Sequence, residues 1–352
     1  MKKSEFLFLP LFERFILDTI KGRRLKPNGA KVKPQTVRSY SYIIQYLKEF
    51  EVKKGRSVRI KVLTGNNERI FLAEKKYWKT FYQEFTDHLY TEKKCHDNYV
   101  GTIIKIIRIF FNYLNKDLGI KTGDFYKHFY ICREEIPIIT LLPAQLNFLI
   151  NDKEFDDKLN PSLKKTKDIF VFGCTVALRV SDLFSIQFKD VEQYDLISYL
   201  PVKTIKTGTN VRIKLPGYAK EIISNFKVGA KKRKQIFPPI PLTRFNLQIK
   251  ELCELAGWTN EIGKFRNKRG RAIEDSPSIE RGRYRFCDQV SSHVMRRTAI
   301  TTMLMMGMKE HIVKQVSGHT KDSSSFYRYV NLAQSYMDNE MDMVFNKLAL
   351  KV

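Results

Sequence analysis

One run of sequence, Ser292–Val330, restricts the fold more than any other, because it sets chemistry-bearing side chains on a helix–Gly–helix pattern. Met295, Ala299, Met303 and Met306 recur at helical spacing. That spacing predicts one buried side and leaves His293 and Arg296, three residues apart, on a shared face. Gly307 is expected to end this helix as a left-handed cap. Ile312, Val313 and Val316 then give a second helix its apolar face before Gly318 stops it. His319 is thus delivered by a turn, and Tyr327 and Tyr329 follow it. An H-x-x-R pair alone is also what an ordinary solvated amphipathic helix shows, so the order of the features carries the information.

Two further stretches hold chemistry. Asp168–Leu178 is apolar enough for a core helix, and it ends by presenting Arg179 within Ala177-Leu178-Arg179-Val180-Ser181-Asp182-Leu183. A carboxylate such as Asp182 is able to hold a nearby guanidinium in one orientation. The alternation of Ile197, Tyr199 and Val202, then Val211, Ile213 and Leu215, predicts strands around a Lys-Thr-Gly-Thr-Asn turn, with Lys206 at its rim. A lysine there is also the usual guard of an exposed sheet edge.

Taken in order, the Arg179 box, the Lys206 hairpin, His293-x-x-Arg296, Gly318-His319 and the tyrosine that follows resemble the tyrosine recombinases, the phage-integrase family, of mobile-element integrase type. The resemblance covers about Leu142 to Val352 strongly and the N-terminal third loosely. It implies a 3′-phosphotyrosyl intermediate that conserves bond energy, so that religation needs neither ATP nor metal. It also implies roles. Arg179 and Arg296 clamp the non-bridging phosphate oxygens, Lys206 is the general acid for the departing 5′-oxygen, and His319 donates to the phosphoryl group. His293 accepts or relays the phenolic proton, or bonds a phosphate oxygen. The family's usual spacing falls between Tyr327 and Tyr329. Tyr329 is favoured as nucleophile because Ser-Phe-Tyr-Arg-Tyr-Val then aligns with the family's ending, and Tyr327 becomes a packing aromatic.

The chemistry suits these residue types. A phosphodiester repels nucleophiles and gains charge in the transition state, and guanidiniums grip such oxygens bidentately. One such charge at about 4 Å contributes on the order of 4 kcal/mol at an effective dielectric of 20. An unperturbed phenol titrates near pH 10, so it needs cationic surroundings or a base to attack at neutral pH.

A chain of 352 residues is comfortable for two domains. Lys and Arg number 63 against 37 Asp and Glu, a formal net charge of +26 that calls for a polyanionic partner. The 12% aromatic content argues that this charge belongs to folded domains and not to a basic tail. Cys95, Cys132, Cys174, Cys253 and Cys287 are odd in number and dispersed, which argues against a disulfide framework or structural zinc. The opening stretch imitates a signal peptide, but Glu5, Pro10, Glu13 and Arg14 interrupt it, so an amphipathic helix is expected.

In the first third, a helix capped by Thr36 is expected to bury Val37, Tyr40, Ile44, Leu47 and Phe50. Val52–Phe71 reads as a loop or short hairpin. A helix from about Glu74 follows, with Trp78, Phe81, Phe85 and Leu89 in its stripe, and then one from near Asn98 carrying Val100, Ile103, Ile104, Ile107, Phe110, Phe111 and Leu114. With the opening helix these make a small bundle similar to the family's core-binding domain, which clamps one side of the duplex. Lys93, Lys94, Lys105 and Arg108 are its candidate DNA contacts, though such charges also serve as a solvated face. Lys121–Ile138 is taken as the interdomain connection. Lys231–Lys234 and Lys264–Arg285 are basic enough to track phosphates as loops. Beyond the tyrosine, Ala333, Met337, Met341, Val344 and Leu348 form an apolar stripe. The resemblance implies that this last helix is lent to a neighbouring protomer.

The expected protein is mainly α with a small β-sheet: a helical, SAM-like core-binding domain (1–130), a linker (131–141) and an α+β catalytic domain with a tail helix (142–352). It acts as a cytoplasmic site-specific recombinase on double-stranded DNA without a cofactor or membrane, monomeric alone and tetrameric on DNA. The alternatives are a type IB topoisomerase-like relaxing enzyme and a non-catalytic DNA-binding regulator derived from a recombinase.

Overall fold

A computed structural model describes residues 5–63, 67–205, 208–230, 233–277, 282–320 and 323–349, without the side chains of 324–325, 335–337, 339–340, 343–344 and 346–349. The chain forms two compact units, one of Met1–Ile136 with Phe265–Asp275, the other of Pro137–Lys264 with Ser276–Val352.

The first unit opens with β1 (Glu5–Leu7) and α1 (Phe8–Ile20), followed by α2 (Pro34–Lys54), β2 (Arg59–Lys61), α3 (Glu68–Thr91) and α4 (Asp97–Lys116). Its core is aromatic: Phe8 meets Phe110 with ring centroids 4.8 Å apart, and Trp78 meets Phe111 at 4.8 Å. The stripes expected on α3 and α4 are buried there, as are Tyr40, Leu47 and Phe50. On α2 the fully buried isoleucine is Ile43, and Ile44 is partly covered.

Local chemistry shifts several boundaries. The N-cap of α2 is Lys33 with Pro34 in the first turn, not Thr36, since the proline ring pre-sets the helical φ. The start of α3 lies six residues before Glu74, where the Asn67 side chain accepts from the Ile70 amide. Glu74 is instead a buried mid-helix residue, paired with Arg59 of β2 at 2.7 Å. Val52–Phe71 therefore holds the end of α2, one strand pairing antiparallel with β1, and the first turn of α3. Within the stretch taken as a connection, Phe125, Tyr126 and Phe129 are buried in this same core.

The second unit begins with α5 (Pro143–Asn151), α6 (Lys153–Lys158), α7 (Pro161–Val176) and the single turn α8 (Val180–Leu183). An antiparallel sheet of β3 (Glu192–Tyr194), β4 (Ile197–Lys203) and β5 (Asn210–Leu215) follows, then α9 (Gly217–Val228) and α10 (Leu242–Leu255). Val211, Ile213 and Leu215 face the core as expected. On β4 the phase is reversed: Ser198 and Leu200 are buried and Ile197 is exposed, because the register sets Ser198 opposite Leu215 and Leu200 opposite Ile213.

The basic Lys264–Arg285 interval is partly a hairpin, β6 (Lys264–Lys268) and β7 (Arg271–Asp275), where loops were expected. Two buried carboxylates of the first unit anchor it. Asp97 accepts the Arg269 and Gly270 amides at 2.7 and 2.8 Å, and Glu134 accepts two N–H groups of Arg266 at 3.0 and 2.7 Å.

The short α11 (Phe286–Gln289) leads into α12 (Ser292–Met305), α13 (Glu310–Ser317) and α14 (Ser324–Ala349). Gly307 and Gly318 both take positive φ after their helices, as the cap reading expected. α12 packs along α7 at close range: a Cβ on Gly173 would lie 2.3 Å from the Met295 sulfur. Burial consequently extends round most of α12, including Val294, Thr298, Ile300 and Thr301, and is not confined to one stripe; Met306 is exposed. No helix among the described residues is long and apolar enough to cross a membrane.

Candidate active site

The close approach of α7 and α12 sets the site. α7 ends at Ala177, a non-glycine residue held in the left-handed region (φ +54°), and its carbonyl accepts from Arg296 Nη1 at 2.8 Å. Arg179 is the N-cap of α8 immediately after that turn. A small separate core of Ala177, Ala299, Ile300, Leu304, Val313, Phe326, Tyr329 and Ala333 lies here, formed by α12, α13 and α14. The nucleophile favoured from sequence is thus built into packed structure.

Arg296 is only 4% exposed. Burial, and then the charge of Arg179, pull its guanidinium down to about 10, while Tyr329 and Asp182 oppose the shift. It stays cationic at neutral pH. Its Nη2 lies 3.3 Å from both ring nitrogens of His319. The neighbouring serine settles which of them accepts. Ser317 Oγ uses its proton on the Val313 carbonyl at 2.6 Å, so its oxygen accepts Nδ1–H at 2.7 Å and leaves Nε2 as the lone pair facing Arg296. Burial first, then Arg296, Arg179 and Lys314, hold His319 down at about 4, which keeps the ring neutral.

Asp182 is fully buried, but it does not orient Arg179 as the sequence suggested. Its Oδ1 accepts the Ile205 amide at 2.9 Å, so it fixes the base of the β4–β5 hairpin, and no ion pair joins it to Arg179. Gly318 packs against the same hairpin, 3.3 Å from Val211 Cγ1 and 3.5 Å from Thr204 Cγ2 measured from an added Cβ. The histidine turn and the hairpin base are therefore in contact. Lys206 itself lies outside the described residues.

His293 is exposed one turn before Arg296 on α12. Tyr329 is 8% exposed, its ring 6.1 Å from that of His319 and 6.4 Å from that of Phe326. Tyr327 is 50% exposed and lies against Lys314, with Nζ 4.6 Å from its ring centre. The structure thus gathers Arg179, Arg296, His319 and Tyr329, sets His293 beside them at the surface, and leaves Tyr327 apart. Among the described residues neither Arg179 nor Arg296 has an ion pair, and the buried Arg179 Nη1 has no hydrogen-bond partner. Ala177, quoted from the sequence only as part of the Arg179 box, and Ser317, not singled out there, also join the site through the Ala177 carbonyl and the Ser317 hydroxyl.

In the first unit Lys105 is exposed and Arg108 half-buried, one turn apart on α4. Lys94 is exposed. Lys93 is engaged internally, ion-paired with Glu49 and 5.6 Å from the Tyr46 ring centre.

The fold is the one found in the tyrosine recombinases. Solved structures that this chain resembles include a lambda integrase dimer bound to a COC′ core site, at 13% identity and TM-score 0.60, covering 93% of this chain and 77% of that one. The Tn1549 transposon integrase in complex with transposon right end DNA matches at 13% identity and TM-score 0.57, covering 95% and 99%. The XerH site-specific recombinase in a post-cleavage complex matches at 12% identity and TM-score 0.52, covering 95% and 94%. No protein-family model and no curated protein matches the sequence.

Proposed function

We propose that this chain is a site-specific DNA recombinase, serving the integration or excision of a mobile element, which cuts and rejoins strands through a 3′-phosphotyrosyl bond to Tyr329. The observation that carries the reading is the guanidinium pair. Arg179 and Arg296 repel one another, the buried Asp182 offsets this only through space and forms no ion pair with either among the described residues, and a donor of Arg179 is unmatched. Such an arrangement is costly unless an anion binds, and a phosphodiester supplies two oxygens of the right geometry.

In this reading the Tyr329 oxygen attacks phosphorus as the bond to the 5′-oxygen breaks. The phenolic proton passes to His293 or water, and Lys206 protonates the departing oxygen. Arg179 and Arg296 hold the non-bridging oxygens. Once phosphate draws Arg296 Nη2 away, its negative charge lets His319 take up a proton on Nε2, and that N–H then donates to the same oxygens. Lys94, Lys105 and Arg108 contact the duplex backbone, and four protomers assemble on DNA. The DNA complexes among the structural neighbours support the partner assigned here.

A pool of nicked random-sequence duplexes removes the need for a defined target site. The full chain is incubated with the pool, denatured, and DNA retained on protein is recovered and sequenced. Wild type and Tyr327→Phe should yield protease-sensitive adducts. Arg179→Ala and Arg296→Ala should lose at least about a hundredfold in rate. An adduct from Tyr329→Phe would refute the nucleophile, and none from wild type would refute the enzyme.

A further inference from the structure

We infer that Ser317 is a positioning residue of this site: its hydroxyl holds the His319 ring at Nδ1 and so reserves Nε2 for the DNA phosphate. The inference rests on the reading of the site as one that cuts DNA.

The grip is built by the local chain. Ser317 is the last residue of α13 and only 1% exposed. Gly318 after it takes φ +64°, and the His319 amide donates back to the Lys314 carbonyl at 3.0 Å. The chain thus reverses tightly enough to fold the ring of His319 onto the side chain of Ser317. A hydroxyl has one proton, and here it is spent on the Val313 carbonyl at 2.6 Å. What remains at the oxygen is an acceptor, 2.7 Å from Nδ1. Val313, one turn earlier on α13, is apolar and fully buried. Such a residue would serve packing at position 317 equally well, so the hydroxyl is accounted for by the ring it holds.

Proton traffic at the ring follows from this grip. Cations face His319 from Arg296 on α12, Arg179 ahead of α8 and Lys314 on α13. The Tyr329 ring of α14 lies 6.1 Å away, and Thr204 and Val211 of the hairpin approach at Gly318. None of these described groups is a carboxylate, so the ring stays neutral until an anion arrives. A phosphate reverses the balance, and a proton from solvent then enters at Nε2, the ring nitrogen still carrying a lone pair. Nδ1–H keeps Ser317 as its acceptor in both states, and an N–H of a charged ring is bound more strongly than one of a neutral ring. Ser317 therefore stops the ring from turning and favours the form that donates to phosphate.

Full-length wild type, Ser317→Ala and Ser317→Thr carrying isotope-labelled histidine are compared by nitrogen NMR at neutral pH without DNA, with His319→Gln assigning the resonance. Wild type and Ser317→Thr should show His319 protonated at Nδ1 alone, and Ser317→Ala should lose that single form. Initial adduct rates on a nicked duplex recovered from the random pool are then followed across roughly pH 6 to 9. Ser317→Ala should be about tenfold slower at the alkaline end, the usual cost of losing one hydrogen bond to a charged group. The deficit should narrow as pH falls, because the ring is then protonated without help. Ser317→Thr should recover much of the rate, and Ser317→Ala should add little to the loss caused by His319→Gln. Protonation at Nε2 in wild type, or an Nδ1–H form that survives in Ser317→Ala, overturns the inference. A Ser317→Ala protein as fast as wild type overturns it as well. A deficit constant with pH, or undiminished beside His319→Gln, overturns it as loss of packing alone. No adduct from wild type removes the DNA-cutting reading and this inference together, whereas a wild-type adduct beside any of the other contrary results removes this inference only.

Discussion

A neutral histidine beside two guanidiniums is a charge distribution waiting for an anion, and it has a measurable signature in proton uptake. His319 titrates ordinarily near 6.5 and is held at about 4 in the folded chain. Above 6.5 both folded and unfolded forms are neutral and the group has no effect on stability. As pH falls below 6.5 the unfolded chain takes the proton first, so folded stability is lost progressively until about 4, where the folded form is protonated as well. His319→Gln should flatten that part of the stability–pH curve, measured by denaturant unfolding of wild type and variant across the same window. Identical slopes would contradict the burial argued for the ring. His88, also lowered by burial, contributes in both proteins and cancels in the difference. That Arg179, Arg296, His319 and Tyr329 meet in one place was legible in the sequence through the order of motifs that carries the resemblance, and the structure does bring these four side chains together. The part played by Ala177 was not, since it acts through the carbonyl of a left-handed residue and does not depend on a side chain.

At the scale of elements, the helices were legible wherever their apolar stripes are long, as on α3 and α4, because burial on one side imposes the 3.6-residue period. The short strands were not. β6 and β7 read KFRNK and RAIED, almost without apolar alternation, since Asp97 and Glu134 hold them by hydrogen bonds and little apolar surface is buried. The segment that carries Glu134 depends in turn on α4. Asn98 exchanges two hydrogen bonds with the Glu134 backbone at 3.0 and 3.1 Å, and a Cβ on Gly101 would lie 2.0 Å from the Cys132 carbonyl oxygen. Backbone cannot yield as a flexible side chain does. Gly101→Ala should therefore destabilise the first unit by about 1–3 kcal/mol or more, although alanine is the better helix former. The check is denaturant unfolding followed through Trp78, which is buried in the first core. An unchanged or raised midpoint would mean that the segment is not seated as described.

For the whole molecule the open question is what α14 does beyond the site. Its first turns belong to the core around Tyr329, down to Ala333 at 2% exposure. Further along, Met341 and Phe345 are 48% and 55% exposed and four residues apart, hence on one face of the helix. One helix thus has a beginning fixed by intramolecular packing and a later part that presents apolar surface to solvent. Those two parts should be separable. A protein ending at Gln334 retains Ala333 and should keep its fold and the chemistry of a single cut. On the proposed assembly, the same protein should lose multimers on DNA, because the apolar face available to a neighbouring protomer is gone. Light scattering of the DNA-bound protein reads the second effect and covalent adduct yield on nicked duplex reads the first. Multimers that persist on DNA after the truncation would show that assembly uses another surface. Loss of the adduct together with the multimers would instead tie cutting by each protomer to occupation of its neighbour.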